Sequence, residues 1–237
     1  MTKRILIMAV HGAGLQGAFF GALAPHLLDF ALKAVTLPGH DARRGDALLV
    51  DIQAMAAWLA QEIEVLPAEY DIVLLGHSMG ALAVLEAAAH RRVKAAILLG
   101  AAAEMPVHPD LLQTARDNPA AAAEMVAKWG VFRGHAQADT LRTVLLNMMA
   151  AVPPAAIGSD LAACDAYKGA RAAATVLQKP VLVLAADSDK MTPLAGAQAL
   201  ADMLPQSTFA IAEGAGHMFA VENPLECAKE IKAFLQS

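Results

Sequence analysis

Cysteine is scarce in this sequence. Cys164 and Cys227 are the two in 237 residues, and they form no C-x-x-C pair. No disulfide framework is therefore expected; two buried or half-buried thiols suit a reducing compartment, and the cytoplasm is the expected location. Aromatic residues are few (5%) and charged ones modest (17%) in a chain that is 57% hydrophobic, a balance that excludes disorder. A basic excess is missing as well: the net charge of −5 excludes a nucleic-acid footprint and a basic membrane surface. No apolar run is long enough to demand a transmembrane helix, because charges break the alanine-rich stretches. MTKRILIMAV, followed by Ala22-Leu23-Ala24, imitates a secretory leader. Its apolar run stops at His11-Gly12, and cleavage after Ala24 would discard a strand and a glycine loop, so no leader is expected. None of the eight histidines forms an H-E-x-x-H pair, and neither a metal nor a cofactor is expected.

What is present is an alternation. Six short apolar runs bounded by Gly, Pro, Asp or His read as buried strands: Arg4–Val10, Leu32–Thr36, Asp71–Leu75, Lys94–Leu99, Pro180–Ala185 and Thr208–Ile211. Helical patterns separate most of them, at Phe19–Leu28, Val50–Leu66, Met79–His90 and Leu194–Leu204, and Pro224–Leu235 closes the chain. Strand and helix in turn predict right-handed crossovers and a mostly parallel sheet of about six strands, covered on both faces. One interval breaks the rhythm. From Gly100 to Lys179 there is no convincing strand, only helical segments at Pro109–Asp117, Ala120–Trp129, Thr140–Ala151 and Ser159–Gln178, the last split near Lys168-Gly169. The predicted organisation is an α/β core of residues 1–103 and 179–237 carrying a helical cap of residues 104–178.

Two motifs compete to explain this core. Gly12, Gly14 and Gly17 fit the G-x-G-x-x-G of a dinucleotide-binding loop. That chemistry needs an acidic residue at the end of the second strand to hold a ribose hydroxyl, and VTLPGH has none. The second motif has its context intact. Gly76, Ser78 and Gly80 form G-x-S-x-G between the strand DIVLL and the helix MGALAVLEAAAH, the tight strand-to-helix turn that exposes a nucleophilic serine. A serine hydroxyl needs a base at neutral pH, and His217, in EGAGHMFAVENP after the last strand, is the best placed histidine. The imidazole in turn needs a carboxylate, for which VLVLAADSDKMTP offers Asp187 and Asp189.

The chain resembles a cap-bearing serine hydrolase of the α/β-hydrolase superfamily over nearly its whole length. The resemblance is carried by His11-Gly12, Leu37-Pro38-Gly39-His40, Gly76 to Gly80, Asp189 to Pro193 and Gly214-Ala215-Gly216-His217, and by the order Ser, Asp, His. Its missing leading strands resemble the plant methylesterase and hydroxynitrile-lyase branch. The resemblance places the acid four residues before a proline, which selects Asp189 ahead of Pro193. Glu104, just past the fourth strand, is a distant third that only the resemblance implies. It implies an oxyanion hole built from the amides of Met79 and of Ala13, with Gly14 the alternative. His11, His40 and His77 are expected to shape the motif loops by hydrogen bonding, and Asp160 and Asp165 to be solvated or capping residues.

The implied reaction is hydrolysis of a carboxylic ester, or a thioester, of a small to medium apolar acyl group through an acyl-enzyme on Ser78. Leu15, Phe19, Phe20, Met105, Met125, Trp129, Met148, Met149 and Phe219 are the pocket candidates, a methionine-rich set suited to an aliphatic chain. The scaffold also accommodates a lyase, a carbon–carbon bond hydrolase or a non-catalytic ligand receptor. The expected partner is a small molecule, with no nucleic acid and no membrane span; monomer and homodimer both stay open.

Overall fold

The computed structural model describes residues 4–236. Six strands, β1 (Arg4–Val10), β2 (Ala31–Val35), β3 (Tyr70–His77), β4 (Val93–Leu99), β5 (Val181–Ala186) and β6 (Ser207–Ala212), form one sheet in the order β2-β1-β3-β4-β5-β6. Every pairing is parallel. Parallel strands are covered on both faces, so they read as unbroken apolar runs, which is why their positions agree with the sequence to within one or two residues. Along β1 the alternation divides the core: Leu6, Met8 and Val10 face one side of the sheet, Ile7 and Ala9 the other.

The helices are α1 (Ile52–Glu64), α2 (Met79–Ala87), α8 (Leu194–Met203), α9 (Phe219–Glu222) and α10 (Pro224–Gln236), with α3 to α7 between β4 and β5. Those five are Pro109–Asp117, Pro119–Gly130, Ala138–Ala150, Pro154–Ala166 and Ala170–Val176. Asp51 caps α1, its carboxylate accepting the Ala54 amide at 2.7 Å. The helix predicted for Phe19–Leu28 does not form. Short 3-10 turns at Gly17–Gly21 and Ala24–His26 replace it, because Gly17, Gly21 and Pro25 deny the segment a continuous α-helical ladder. Phe19, Phe20, Leu23 and Leu27 are buried all the same, so the apolar pattern reported burial rather than helix. Cys164 and Cys227 are both free and buried. Among the described residues no single helix is long and apolar enough to cross a membrane.

Chain order sets the place of the site. After β1 the chain adds β2 on one flank and then β3 on the other, leaving a switch point between the carboxyl ends of β1 and β3. Val10 pairs with Gly76 across that point, so the loop starting at His11 and the turn holding Ser78 emerge side by side.

Candidate active site

Ser78 caps α2 with φ 53 and ψ −119, one of two non-glycine residues with positive φ among those described. Such a backbone costs about 1–3 kcal/mol and persists because its surroundings impose it. A Cβ on Gly76 would strike the backbone of Gly80 and Ala81, and one on Gly80 would strike the Val10 and His11 carbonyls. The two glycines therefore let the turn close against β1. The Ser78 amide donates to the Leu99 carbonyl at 2.9 Å, which fastens the elbow to the end of β4.

His217 and Asp189 meet from different strands. The imidazole Nδ1 donates to Asp189 Oδ2 at 2.8 Å, and both side chains are buried. Thr192 donates its hydroxyl to the same oxygen at 2.6 Å, while the Met191 and Thr192 amides donate to Oδ1 at 2.8 and 2.9 Å. Burial alone would raise the Asp189 carboxyl; the His217 charge and these donors overcome it and hold the group below its ordinary value. Asp187 sits apart, its carboxylate exposed and accepting the Gly214 amide at 3.0 Å. Glu104 is exposed.

His217 is held from behind by His77 of the serine turn and by Glu222. His77 Nε2 donates to the His217 carbonyl at 3.0 Å, and its ring stacks on Phe19 with centroids 4.4 Å apart. Burial, reinforced by His217, drops the His77 pKa to about 3, so this ring is a neutral strut. Glu222 accepts the Gly216 amide at 3.0 Å and the Phe132 amide at 2.8 Å, tying the His217 loop to the chain beyond α4. Burial raises its pKa despite those donors. Gly100, immediately after β4, has φ +58, and a Cβ there would lie 3.2 Å from two atoms of the His217 ring. Gly100→Ala is therefore expected to lower kcat about tenfold to a hundredfold by displacing the ring, with about 1–2 kcal/mol of lost stability. Gly214→Ala, at φ +65 with nothing near its Cβ, carries the strain without the collision. Melting curves and steady-state kinetics should show similar destabilisation in both and the activity loss in Gly100→Ala alone.

The loop after β1 makes a turn in which the Leu15 amide donates to the Gly12 carbonyl at 3.2 Å and Gly14 takes φ +66. The Gly14 amide is already engaged, donating to Asp160 Oδ2 of α6 at 2.8 Å. His11 links this loop to the next one, accepting the Leu37 amide on Nε2 at 3.1 Å. Burial, with help from the neighbouring His40, lowers the His11 pKa to about 4, so it too is neutral. Asp160 is fully buried rather than solvated, against expectation, because it lies where α6 packs over the β1 loop. Asp165 accepts the Val107 amide at 3.0 Å.

Ser78 and His217 open into a cavity of about 380 Å³ lined by Ala13, Leu15, His77, Met105, Val107, Leu111, Val126, Trp129, Leu161, Cys164, Met191 and Met218, with His108 and Lys190 adding its polar groups. Leu15, Met105 and Trp129 were expected there. Phe19, Phe20 and Phe219 are instead fully buried in the core below, where their volume fills the layer between sheet and loops. Met125 packs against the same core cluster, and Met149 faces a separate cavity between α4, α5 and α6. Met148 meets the Gln16 side chain through its carbonyl rather than entering the cavity. No residue of α5 lines the cavity above Ser78, and Met149 belongs to the core. Leu111, Val126, Leu161 and Cys164 escaped sequence reading because nothing local marks which side of a helix faces the cavity. Among the described residues no group of three His, Cys, Asp or Glu is placed to hold a metal ion.

A six-stranded parallel sheet with a serine elbow at its switch point, and a paired histidine and carboxylate on the loops after β6 and β5, defines the α/β-hydrolase class of fold. The family model described as the alpha/beta hydrolase family matches residues 7–230, and the chain belongs to that family. A pimeloyl-acyl-carrier-protein methyl ester esterase of Aromatoleum aromaticum is 28% identical over 247 residues, covering 94% of each chain. The enzyme of the same name from Xanthomonas campestris is 29% identical over 231 residues, covering 89% of this chain and 87% of that one. Among solved structures, a thermophilic esterase from Thermogutta terrifontis superposes with a TM-score of 0.84 at 24% identity, covering 100% of this chain and 91% of the other. The enol-lactonase of Burkholderia xenovorans reaches 0.87 at 18% identity, covering 100% and 93%.

Proposed function

We propose that the protein is a serine esterase acting on carboxylic esters of small to medium apolar acyl groups. The observation that carries this reading is that Ser78 and His217 line one largely apolar cavity, with Asp189 buried behind the ring and 2.8 Å from its Nδ1. Ser78 Oγ attacks the ester carbonyl as its proton passes to His217 Nε2, and Asp189 stabilises the imidazolium through Nδ1. The amides of Ala13 and Met79 hold the developing oxyanion; the Gly14 amide, committed to Asp160, is not available for it. His217 returns the proton to the departing alcohol. Water, deprotonated by the same ring, then attacks the acyl-enzyme, releases the acid and restores Ser78.

Residues 104–178 act as a cap, supplying Met105, Val107, Leu111, Val126, Trp129, Leu161 and Cys164 to the acyl cavity. The names of the sequence relatives support methyl esters as substrates. Two buried free thiols support a reducing compartment, and we place the protein in the cytoplasm. Nitrophenyl and methyl esters of increasing acyl length test the reading. A cavity of this size predicts best turnover for chains of about four to eight carbons, falling beyond. Mass spectrometry after fluorophosphonate treatment should find the label on Ser78; a folded protein that hydrolyses no ester in the series and carries no label there is not a serine esterase.

A further inference from the structure

Asp160 is a fully buried carboxylate that the ester chemistry above does not use. It reaches from α6 and accepts two hydrogen bonds on Oδ2, from the Gly14 amide at 2.8 Å and from His40 Nε2 at 2.9 Å. His40 belongs to the Leu37-Pro38-Gly39-His40 turn, and its Nδ1 lies 3.1 Å from the Pro38 carbonyl. Both ring nitrogens face acceptors, so both donate, and the ring is an imidazolium. One side chain of the cap thus ties together two loops of the core, 146 and 120 residues away in sequence.

We propose that Asp160 is a positioning residue: its carboxylate fixes the turn that presents the Ala13 amide to the substrate carbonyl, and the His40 imidazolium balances its negative charge. The inference rests on the esterase reading. Gly14 occupies the third position of the Gly12–Leu15 turn, and Ala13 the second. Holding the Gly14 amide sets the orientation of the peptide plane that follows Ala13, and with it the pose of the whole turn. A lone carboxylate so close would oppose the negative charge that develops on the substrate oxygen. Paired with His40, the junction carries no net charge while keeping its acceptor.

The charge of the junction changes as His40 gains or loses its proton. Burial disfavours its charged form, but the hydrogen bond and the charge of Asp160 prevail and raise its pKa above the ordinary 6.5. The other titratable groups facing the pair are His11 of the β1 loop, its ring 4.9 Å from that of His40, and Cys164, one turn along α6. His11 is neutral near pH 7, and burial pushes the Cys164 thiol up, so neither competes. Because the folded pKa of His40 is raised, the ion pair is complete below the ordinary value and is lost as pH rises through the folded one.

The test is steady-state hydrolysis of a short nitrophenyl ester by wild type, Asp160→Ala and Asp160→Asn, from about pH 6 to 10. Asp160→Ala frees the turn and is expected to lower kcat about a hundredfold, with KM changed less than about threefold. Asparagine at this position still offers an oxygen to the Gly14 amide and to a neutral His40. Asp160→Asn should therefore stay within about tenfold of wild type and lose the alkaline decline in kcat that wild type shows as His40 deprotonates. The proposal is overturned if Asp160→Ala keeps kcat within about threefold, if its loss falls on KM alone, or if Asp160→Asn retains the wild-type alkaline decline. Should Asp160→Ala fail to fold, the Asp160→Asn profile decides. An inert wild type overturns the esterase reading itself, whereas an active wild type insensitive to Asp160 overturns this inference alone.

Discussion

Ser78→Ala is expected to lower kcat by about a millionfold, the loss seen when the nucleophile of an acyl-transfer site is removed. The argument starts at the elbow. The Ser78 backbone is held at φ 53 by its packing against β1 and by the hydrogen bond from its amide to Leu99, and neither feature involves the hydroxyl. Alanine keeps the same Cβ and the same strain, so the fold and the cavity stay as they are. Leu15, Met105, Trp129 and Leu161 line the cavity proposed to bind substrate and are untouched by the change, so KM should move little. The only thing removed is the oxygen that forms the acyl bond in the proposed reaction. The comparison to make is single-turnover hydrolysis together with fluorophosphonate labelling in wild type and variant, with melting curves to certify folding. Turnover or labelling surviving in Ser78→Ala at more than about a thousandth of wild type points to another nucleophile.

How far the sequence reveals all this depends on what kind of signal each feature leaves. The strands are legible because burial on both faces of a parallel sheet turns them into apolar runs, as at Val93–Leu99 and Val181–Ala186. Ser78, His217 and Asp189 are legible because their backbone needs neighbours of fixed type: glycines two residues either side of the serine, and a proline after the acid loop. The Phe19–Leu28 segment misleads because its apolar residues do face one side, yet the glycines and Pro25 carry them on 3-10 turns. Asp160 leaves no local trace at all. Its burial follows from α6 landing on the β1 loop, and only His40, 120 residues earlier, explains its charge. Gly100 and Thr192 lie between these extremes. A glycine closing a central strand, and a threonine three residues after the chosen acid, are visible as letters, but the ring and the carboxylate they serve arrive from elsewhere in the chain.

Asp189, the proposed acid, supplies the second large effect, and the direction of its hydrogen bonds makes the outcome specific. In Asp189→Asn the carboxamide has two possible orientations, and the loop permits one. The Met191 and Thr192 amides both donate to Oδ1, so the carbonyl oxygen of an asparagine must take that position. The NH2 group then replaces Oδ2 and points at His217 Nδ1, where the carboxylate now accepts a hydrogen bond at 2.8 Å. Two donors cannot face each other, so the ring must give up the Nδ1 proton and carry one on Nε2, toward Ser78. In that tautomer it has no lone pair with which to deprotonate the hydroxyl. The expected result is a fall in kcat of about ten thousandfold with the fold intact, since Thr192 can turn its hydroxyl to accept from the new amide. Asp187→Asn is the matching control. Among the described residues its carboxylate accepts the Gly214 amide alone and lies outside the buried pair, so activity should stay within about twofold of wild type. The two variants, assayed side by side on one nitrophenyl ester, decide between the two aspartates: a large loss in Asp187→Asn with Asp189→Asn near wild type would move the acid by two residues and leave the buried hydrogen bond to His217 without a catalytic role.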